Sequence, residues 1–463
     1  VFVLFIASFT YVTAQINATG TIASRALGIP FEAGVWVGLI SILICSMLGG
    51  MRAVTWTQVA QYIVLIIAYL IPVFWISSNV GGGIFPHLML GDEVARLGEL
   101  EQQFGLVKNS AADMKAAGVP GGLKYISGTH SGVPEGGMAV WKYLSLAICM
   151  MVGTASLPHI LMRYFTTPTV RAARKSVAWS LFFIFLLYSS APMLATLSKL
   201  ALMDPNLPTG IIGKSISEVQ SIEWVQRWSE VKQVFIADFN GDGILQLNEW
   251  FMRGDVVVLA TPEVAGLPFV ISGLVFAGGM AAAMSTADGL VLAISNALSH
   301  DIYYKIINPK AETSKRLLVA RTLLVIIGAA GAYIASFRLT SILGSVAWAF
   351  DFAMSGLFFP LVLGVWWKRA TREGAIAGII AGIVSGTVYL TWVFPKFSVP
   401  IWGGVNTPFL GIDHLRFGLI GAPICLVVMV VVSLMTKEPS PATQKLVDDT
   451  RIPTGKAILG KQH

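Results

Sequence analysis

The sequence predicts an all-α membrane protein built as a bundle of about ten hydrophobic helices. Of its 463 residues, 55% are hydrophobic and only 12% are charged, about half the charged share of an ordinary soluble domain. Several apolar runs reach the roughly 20 residues that a helix needs to cross a bilayer. Because a helix satisfies its own backbone hydrogen bonds inside lipid, these runs are predicted to span a membrane rather than to fill a soluble core.

The predicted spans are the apolar runs that lie between charged and helix-breaking residues. The first run starts at Val1 without a charged leader or a cleavage site, so we expect further N-terminal sequence to precede it. Together the spans form one transmembrane domain over residues 1–436. The ten predicted spans are Val1–Leu27, Gly34–Leu48, Val54–Ile76, Trp141–Met162, Val177–Leu197, Leu267–Leu298, Leu317–Ala335, Leu339–Trp367, Gly374–Phe394 and Phe417–Met435.

Lys and Arg residues concentrate in alternate connections between the spans, and such positive connections are retained on the cytoplasmic side. This pattern places the tail, residues 437–463, in the cytoplasm. The two long connections, residues 79–141 and 199–266, mix acidic and basic residues and are predicted to be outer loops. The net charge of +7 comes from short tracts beside apolar runs, so the predicted partner is a lipid bilayer and not nucleic acid.

Two carboxylic acids lie inside predicted spans, Asp288 and Asp351. A central Asp costs roughly 2.5–3.5 kcal/mol in a membrane helix, and such residues usually face the bundle interior or a water-filled path. Each is therefore a candidate for coupling a cation or a proton. The alternative is a buried neutral acid that is hydrogen-bonded to a neighbouring helix.

A run of small residues, 278–289, contains Asp288. Helical spacing places Ala282, Ser285 and Thr286 on roughly the same side as the acid. Hydroxyls and a freed backbone carbonyl are oxygen ligands of the kind that sodium takes within a membrane. The pattern predicts a sodium-binding face, although serines and threonines in such runs also simply bridge packed helices.

The fourth predicted span contains Pro158 near its inner end. Proline lacks a helix donor and clashes with the previous turn, so this span is expected to be broken or kinked there. Broken membrane helices line solute sites, because their freed carbonyls and half-helix N-termini point into a cavity. Thr154, Ser156 and Pro158 are therefore candidate residues of a solute cavity.

Residues 238–249, in the second predicted outer loop, match a twelve-residue EF-hand loop at each diagnostic position. Gly243 permits the sharp turn at the sixth position. An outward-facing site of this type is expected to hold calcium constantly and to act as a structural staple. The alternative is a solvated acidic turn. The predicted calcium ligands are Asp238, Asn240, Asp242, the carbonyl of Ile244, Gln246 and Glu249.

Three motifs resemble the cation/acetate symporter branch of the sodium/solute symporter family, and the similarity extends over nearly the whole chain. Two of the motifs are long enough to be specific. They are the run Gly153–Thr166 followed by Arg171–Ser176, the run from Ser285-Thr286-Ala287-Asp288-Gly289 to Ser299-His300-Asp301-Ile302-Tyr303, and Leu48–Gln58.

The resemblance implies a leucine-transporter-like fold of two inverted five-helix repeats, with about ten of thirteen transmembrane helices present in this chain. It implies sodium-coupled alternating access, with sodium held by the hydroxyls of Ser285 and Thr286 and by the carbonyl of Ala282. The broken helix would line the substrate cavity with Thr154, together with Gln15 from the first span. The implied location is a bacterial inner membrane, and a small two-helix membrane subunit is a candidate partner.

The leading functional hypothesis is sodium-coupled symport of a small monocarboxylate such as acetate. One alternative is a proton-coupled or sodium-coupled carrier of another small solute such as an amino acid, with Asp288 or Asp351 as a proton site. A more distant alternative is a membrane sensor with a transporter-like input module. The sequence has no zinc-protease, serine-hydrolase or phosphate-binding motif, so an enzyme is not expected.

Overall fold

The computed structural model describes residues 1–81, 83–104, 111–120, 124–125, 137–394 and 408–451, and most of these residues are helical. Parts of the first predicted outer loop, residues 395–407 and residues 452–463 of the tail lie outside the described residues. The α-helices are α1 (Phe2–Leu27), α2 (Phe31–Val80), α3 (Pro86–Phe104), α4 (Ala111–Ala116), α5 (Gly137–Ser156), α6 (Pro158–Leu161), α7 (Val170–Met203), α8 (Ile216–Ser221), α9 (Glu223–Glu230), α10 (Val257–Val264), α11 (Phe269–Asn296), α12 (Thr313–Ser336), α13 (Ile342–Ala353), α14 (Phe359–Trp366), α15 (Arg372–Val393), α16 (Gly418–Met435) and α17 (Pro441–Arg451).

Eight helical segments among the described residues are long and apolar enough to cross a membrane, and the bent pair formed by α5 and α6 makes a ninth. Each of the nine overlaps one predicted span, so the prediction of an all-α membrane bundle is confirmed. The eight single segments are Phe2–Leu27, Val54–Val80, Val170–Met203, Phe269–Ile307, Thr313–Ser336, Ile342–Trp366, Arg372–Val393 and Gly418–Met435.

The second and third predicted spans form one continuous helix, α2, of 50 residues. The prediction separated the two spans at residues 49–53, which include two glycines, but each glycine costs a helix only about 1 kcal/mol relative to alanine and does not end it. The first part, Phe31–Met47, is apolar but shorter than a membrane-spanning segment. The second predicted span is therefore a short apolar helix that continues directly into the third.

The predicted break at Pro158 is present. Helix α5 ends at Ser156, Leu157 adopts an extended backbone with φ −70° and ψ 120°, and Pro158 starts α6. The two helices meet at a bend of 48°. Proline fits the first turn of α6 because its missing N–H would have no partner there. A 3-10 helix, Met162–Thr166, follows α6 directly.

Helix α1 lies at the centre of the bundle and packs against α2, α11, α12 and α13. Its buried Val12 and Ile16 belong to an apolar core with Leu290 and Ile294 of α11. Wider, π-helical turns extend α11 through Ala297–Ile307. Similar π-helical turns at Met354–Phe358 join α13 to α14. The eighth predicted span is therefore one continuous helical segment whose hydrogen-bond pattern changes in the middle.

The segment between α7 and α11 is folded rather than extended. It contains α8, α9, α10 and two of the three short strands, and its buried Trp228 and Trp250 share one apolar core with Leu200 of α7. The strands are β1 (Lys124–Tyr125), β2 (Val234–Ile236) and β3 (Trp250–Met252), which form an antiparallel sheet in the order β1-β3-β2. This segment therefore packs onto the end of a membrane helix.

Ion pairs fasten α3 to the end of α7 and to the residue after it. Lys199 of α7 pairs with Glu101 of α3, and both side chains are buried. Arg96 of α3 pairs with buried Asp204, which follows α7. Although burial acts to raise the pKa of the Asp204 carboxyl, the N–H of Asn206 and the Arg96 guanidinium outweigh it and hold that pKa below its usual 3.8. The carboxylate is thus the form that the fold favours.

The described part of the tail folds back onto α14. The guanidinium of Arg451 in α17 lies 5.3 Å from the ring centroid of Trp366. Its Nη2 donates to the Trp366 carbonyl at 2.8 Å, and Lys368 pairs with Asp448 at 2.7 Å. The end of α17 is thereby held beside the end of a membrane helix.

Candidate cation and solute site

The three residues of the predicted sodium face lie within little more than one turn of α11, and their oxygens are close together. Ser285 Oγ donates to the Ala282 carbonyl at 2.8 Å, and Thr286 Oγ1 donates to the same carbonyl at 3.4 Å. All three residues line one cavity of about 470 Å³. The hydroxyl lone pairs and the carbonyl are oxygen ligands suited to a hard cation such as sodium. The residues present therefore supply part, but not all, of a sodium coordination shell.

Two polar side chains from other elements reach the same cavity. The Arg163 guanidinium, from the 3-10 helix after α6, donates to Gln58 Oε1 of α2. Gln58 Nε2 donates to the Ser285 carbonyl at 2.5 Å. Because a guanidinium only donates and a carbonyl only accepts, the two bonds fix which way the Gln58 amide points. The broken helix and the sodium face are thus connected through one glutamine.

Sequence reasoning missed the roles of Gln58 and Arg163. Both belong to the motifs Leu48–Gln58 and Gly153–Thr166, so a signal was present in the sequence. Neither motif indicates that the two side chains meet, because they are 105 positions apart in the chain.

Asp288 lies on α11 but does not line this cavity. Its side chain is fully buried (0% exposed), and Oδ1 accepts from Ser46 Oγ of α2 at 2.7 Å. Oδ2 has no hydrogen-bond partner among the described residues. The acid therefore faces the contact between α11 and the first part of α2, about one turn away from the sodium face.

Asp351 is also fully buried, in α13 where this helix meets α16. No donor satisfies hydrogen-bond geometry at either carboxyl oxygen within the described part of the chain. The Cys149 thiol and the backbone N–H groups of Gly418 and Phe417 lie close to this carboxyl group. Because the start of a helix leaves its first N–H groups without helical partners, this position suits an acid that stabilises the start of α16.

The structure separates the predicted substrate residues. Ser156 and Pro158 line a second, larger cavity of about 800 Å³ together with Asn296 and His300. His159, the next residue, lines the cavity of the sodium face instead. The break in the helix therefore borders both cavities.

Thr154 and Gln15 are not among the residues that line either of these two cavities. The Thr154 hydroxyl donates within its own helix to the Met150 carbonyl at 2.6 Å. Gln15 is buried in α1. Their assignment to the substrate cavity stays a prediction.

The EF-hand-like loop is closed by its own hydrogen bonds. Asp238 accepts from the N–H groups of Gly241 at 2.7 Å and Gly243 at 3.0 Å, and buried Glu249 reaches back to accept from Phe239 N–H at 2.9 Å. Gly243 has a φ of +70°, which glycine adopts without strain. The loop follows β2 and precedes β3, so strands take the place of the helices that flank an EF-hand.

The exposed carboxylate of Asp242 accepts from Ile244 N–H at 2.8 Å, and this hydrogen bond holds its pKa below the usual 3.8. Gln246 Nε2 donates to the other Asp242 oxygen at 2.9 Å, as does Asn240 Nδ2 at 2.8 Å. Across the residues that the structure describes, no group of three or more His, Cys, Asp or Glu side chains is arranged to hold a metal ion. Calcium binding therefore stays a prediction.

A multi-span helical bundle with a broken helix and a polar face beside a cavity defines a membrane transporter. The chain belongs to the sodium:solute symporter family, whose model matches residues 1–215 and 256–382. The EF-hand-like loop falls between the two matched segments. This is a family of transporters, which is not an enzyme class.

Two curated relatives and one solved structure illustrate the similarity. The chain is 36% identical to an uncharacterized symporter of Cupriavidus necator, over 96% of this chain and 75% of that protein. It is 25% identical to a monocarboxylic acid transporter of Corynebacterium glutamicum, over 80% of this chain and 58% of that protein.

The solved structure is a substrate-bound, outward-open state of a Na⁺-coupled sialic acid symporter. It aligns with a TM-score of 0.58 at 15% identity, over 94% of this chain and 74% of that chain. This likeness concerns the fold, and it confirms the predicted leucine-transporter-like class.

Proposed function

We propose that the protein carries out sodium-coupled symport of a small monocarboxylate, acetate-like in size, by alternating access. Family membership supports sodium-coupled solute transport, and the relative from Corynebacterium glutamicum supports an acid substrate. The observation that carries the proposal is the oxygen face of Ala282, Ser285 and Thr286, which lines a cavity beside the broken helix. Sodium and the carboxylate are both transported, so both are substrates.

In this mechanism sodium binding raises the affinity for the carboxylate, and by linkage the carboxylate raises the affinity for sodium by the same factor. The ion shifts the bundle toward the outward-open state by binding that state more tightly than the inward-open one. Release then follows when the bundle opens to the other side. The positive connections support a cytoplasmic position for that side and for the tail from residue 437, and the proposed location is a bacterial inner membrane.

Proteoliposome uptake of labelled acetate, with and without an inward sodium gradient, tests the proposal. Ser285→Ala removes one oxygen ligand, and a loss of about 1–2 kcal/mol would raise the sodium concentration for half-maximal uptake about 5–30-fold. Ser272→Ala is the matched control, since this serine lies on the same helix, is buried and has no hydrogen-bond partner among the described residues. Uptake that does not depend on the sodium gradient and is unchanged by Ser285→Ala would contradict sodium coupling.

Proton coupling is the alternative, and buried Asp288 is the observation that favours it, because one of its oxygens has no hydrogen-bond partner in the described structure. Uptake that a pH gradient drives without sodium, and that Asp288→Asn abolishes, would select proton over sodium. Competition by amino acids but not by monocarboxylates would select the other class of solute.

Calcium binding by residues 238–249 is a separate proposal that the sequence motif supports. The ion would be a structural staple of the outer segment, held through Asp238, Asp242 and Glu249. Terbium luminescence of the purified protein should show binding that calcium displaces and that Glu249→Gln weakens at least tenfold. If the protein binds no calcium at millimolar concentration, this proposal is wrong. Co-purification with a small two-helix subunit would test the proposed partner in the same preparation.

A further inference from the structure

The cavity of the sodium face also has a positively charged wall. Arg163 and His159, from the two turns after the break at Leu157, both line it together with Ser285 and Thr286 of α11. A cavity that contains both oxygens for a cation and nitrogen donors is suited to hold a cation and an anion together.

His159 contributes a donor whose position is informative. Its side chain is 8% exposed, and Nδ1 has no hydrogen-bond partner among the described residues. Buried polar atoms are nearly always hydrogen-bonded, so such an atom on a cavity wall points to a ligand. A neutral imidazole can carry its proton on Nδ1 and donate it.

Arg163 contributes the charge. Its guanidinium is a planar fork of N–H donors, and it also donates to Gln58 Oε1. A carboxylate matches that fork with two parallel acceptors and neutralises its charge. A lysine at this position would supply the charge without the fork.

We propose that Arg163 and His159 bind the carboxylate group of the solute, in the same cavity as the sodium face of Ala282, Ser285 and Thr286. This inference rests on the proposed function and locates the charged end of its substrate. The carboxylate accepts hydrogen bonds from both side chains, and its alkyl group extends away from them. The pair differs from the residues that the sequence predicted for the substrate, since Ser156 and Pro158 line the other cavity.

The arrangement gives sodium coupling a direct physical cause. A sodium ion at Ser285 and a carboxylate at Arg163 share one cavity of about 470 Å³. Opposite charges within one cavity attract each other, and the attraction is stronger the lower the effective dielectric constant is relative to water. Each substrate therefore raises the affinity for the other without any movement of the protein.

Thermal stabilisation of the purified protein in detergent, with propionate and its neutral isostere propionamide in the presence of sodium, tests the inference. We expect the wild type to prefer propionate and Arg163→Gln to bind propionate at least tenfold more weakly, while the stabilisation by sodium alone changes less than threefold. Arg163→Lys should fall between them, which keeps the test decisive if Arg163→Gln does not fold. The matched control is Arg171→Gln, an exposed arginine outside the cavity.

An Arg163→Gln protein that keeps the wild-type preference for propionate would overturn the inference. So would a variant that loses sodium affinity but keeps that preference, because Arg163 would then act only on the sodium face through Gln58. These two outcomes leave the proposed function intact. A wild type that sodium stabilises but that no monocarboxylate stabilises would contradict the proposed substrate itself, and this inference with it.

Discussion

Replacement of Ser46 by alanine tests how the membrane acid Asp288 is held. Ser46 Oγ donates to Asp288 Oδ1 at 2.7 Å, and both side chains are buried. The other carboxyl oxygen has no hydrogen-bond partner among the described residues. The variant thus removes the one hydrogen bond that the described structure gives this carboxyl group.

A buried acceptor that loses its partner costs about 1–3 kcal/mol. We therefore expect Ser46→Ala to lower the free energy of unfolding by about 1–3 kcal/mol in the wild-type background. In an Asp288→Leu background the same change should cost close to nothing, because Ser46 no longer has the acid to bond. Ser41→Ala is the control on the same helix, where the hydroxyl is exposed and bonds only to the Val37 carbonyl; it should change the free energy by less than about 0.5 kcal/mol.

Unfolding in mixed micelles by titration with a denaturing detergent, followed by tryptophan fluorescence, measures all four proteins of the double-mutant cycle. Equal costs of Ser46→Ala in the two backgrounds would refute the reasoning, since the serine would then stabilise the helix contact without Asp288. The same preparations can be titrated with sodium. If the interaction energy between Ser46 and Asp288 increases when sodium is added, the acid is energetically coupled to the sodium face.

Three further predictions concern contacts that hold the bundle together. Lys199→Met should destabilise the protein by about 3–5 kcal/mol in the same unfolding assay, because it leaves the Glu101 carboxylate buried without its ammonium partner. Adding Glu101→Met to this variant should recover most of the lost stability. Gly153→Ala should cost about 1–3 kcal/mol, since an added methyl group would lie 2.6 Å from Phe350 Cβ and 2.7 Å from its carbonyl oxygen; unchanged stability would mean that α5 and α13 can separate freely. Because the Asn206 N–H and the Arg96 guanidinium hold the pKa of Asp204 below its usual 3.8 in the folded protein, these contacts should stabilise the protein above pH 3.8 and lose this effect as the pH falls through the lowered value. Asp204→Asn should therefore flatten this part of a plot of melting temperature against pH.

Several features were predictable because they depend on local chemistry. Nine of ten predicted spans follow directly from the length of apolar runs, which lipid requires whatever the packing. The break at Pro158 follows from a missing donor and a steric clash within one turn. The continuity of α2 through Gly49-Gly50 was not predictable in the same way, because glycine weakens a helix without forbidding it, and the outcome depends on what packs against it.

The site was only partly predictable for a related reason. Helical spacing alone puts Ala282, Ser285 and Thr286 on one side of a helix, and the structure places all three on one cavity. The sequence could not show that Asp288 faces Ser46 instead of that cavity. Successive side chains on a helix point about 100° apart. Which of them faces a cavity depends on how the whole helix is rotated against its neighbours.

The sequence by itself therefore determined the membrane location, the helical class, the broken helix and the oxygen-bearing face of α11. The tertiary structure alone decided that Gln58, Arg163 and Ser285 form one connection, because these residues lie 105 and 227 positions apart and meet only when three helical segments pack. It also decided that Pro158 and His159, neighbours in the chain, border different cavities. Hydrophobic runs and proline act over a few residues, whereas the partners of a buried polar side chain are set by how whole helices cross.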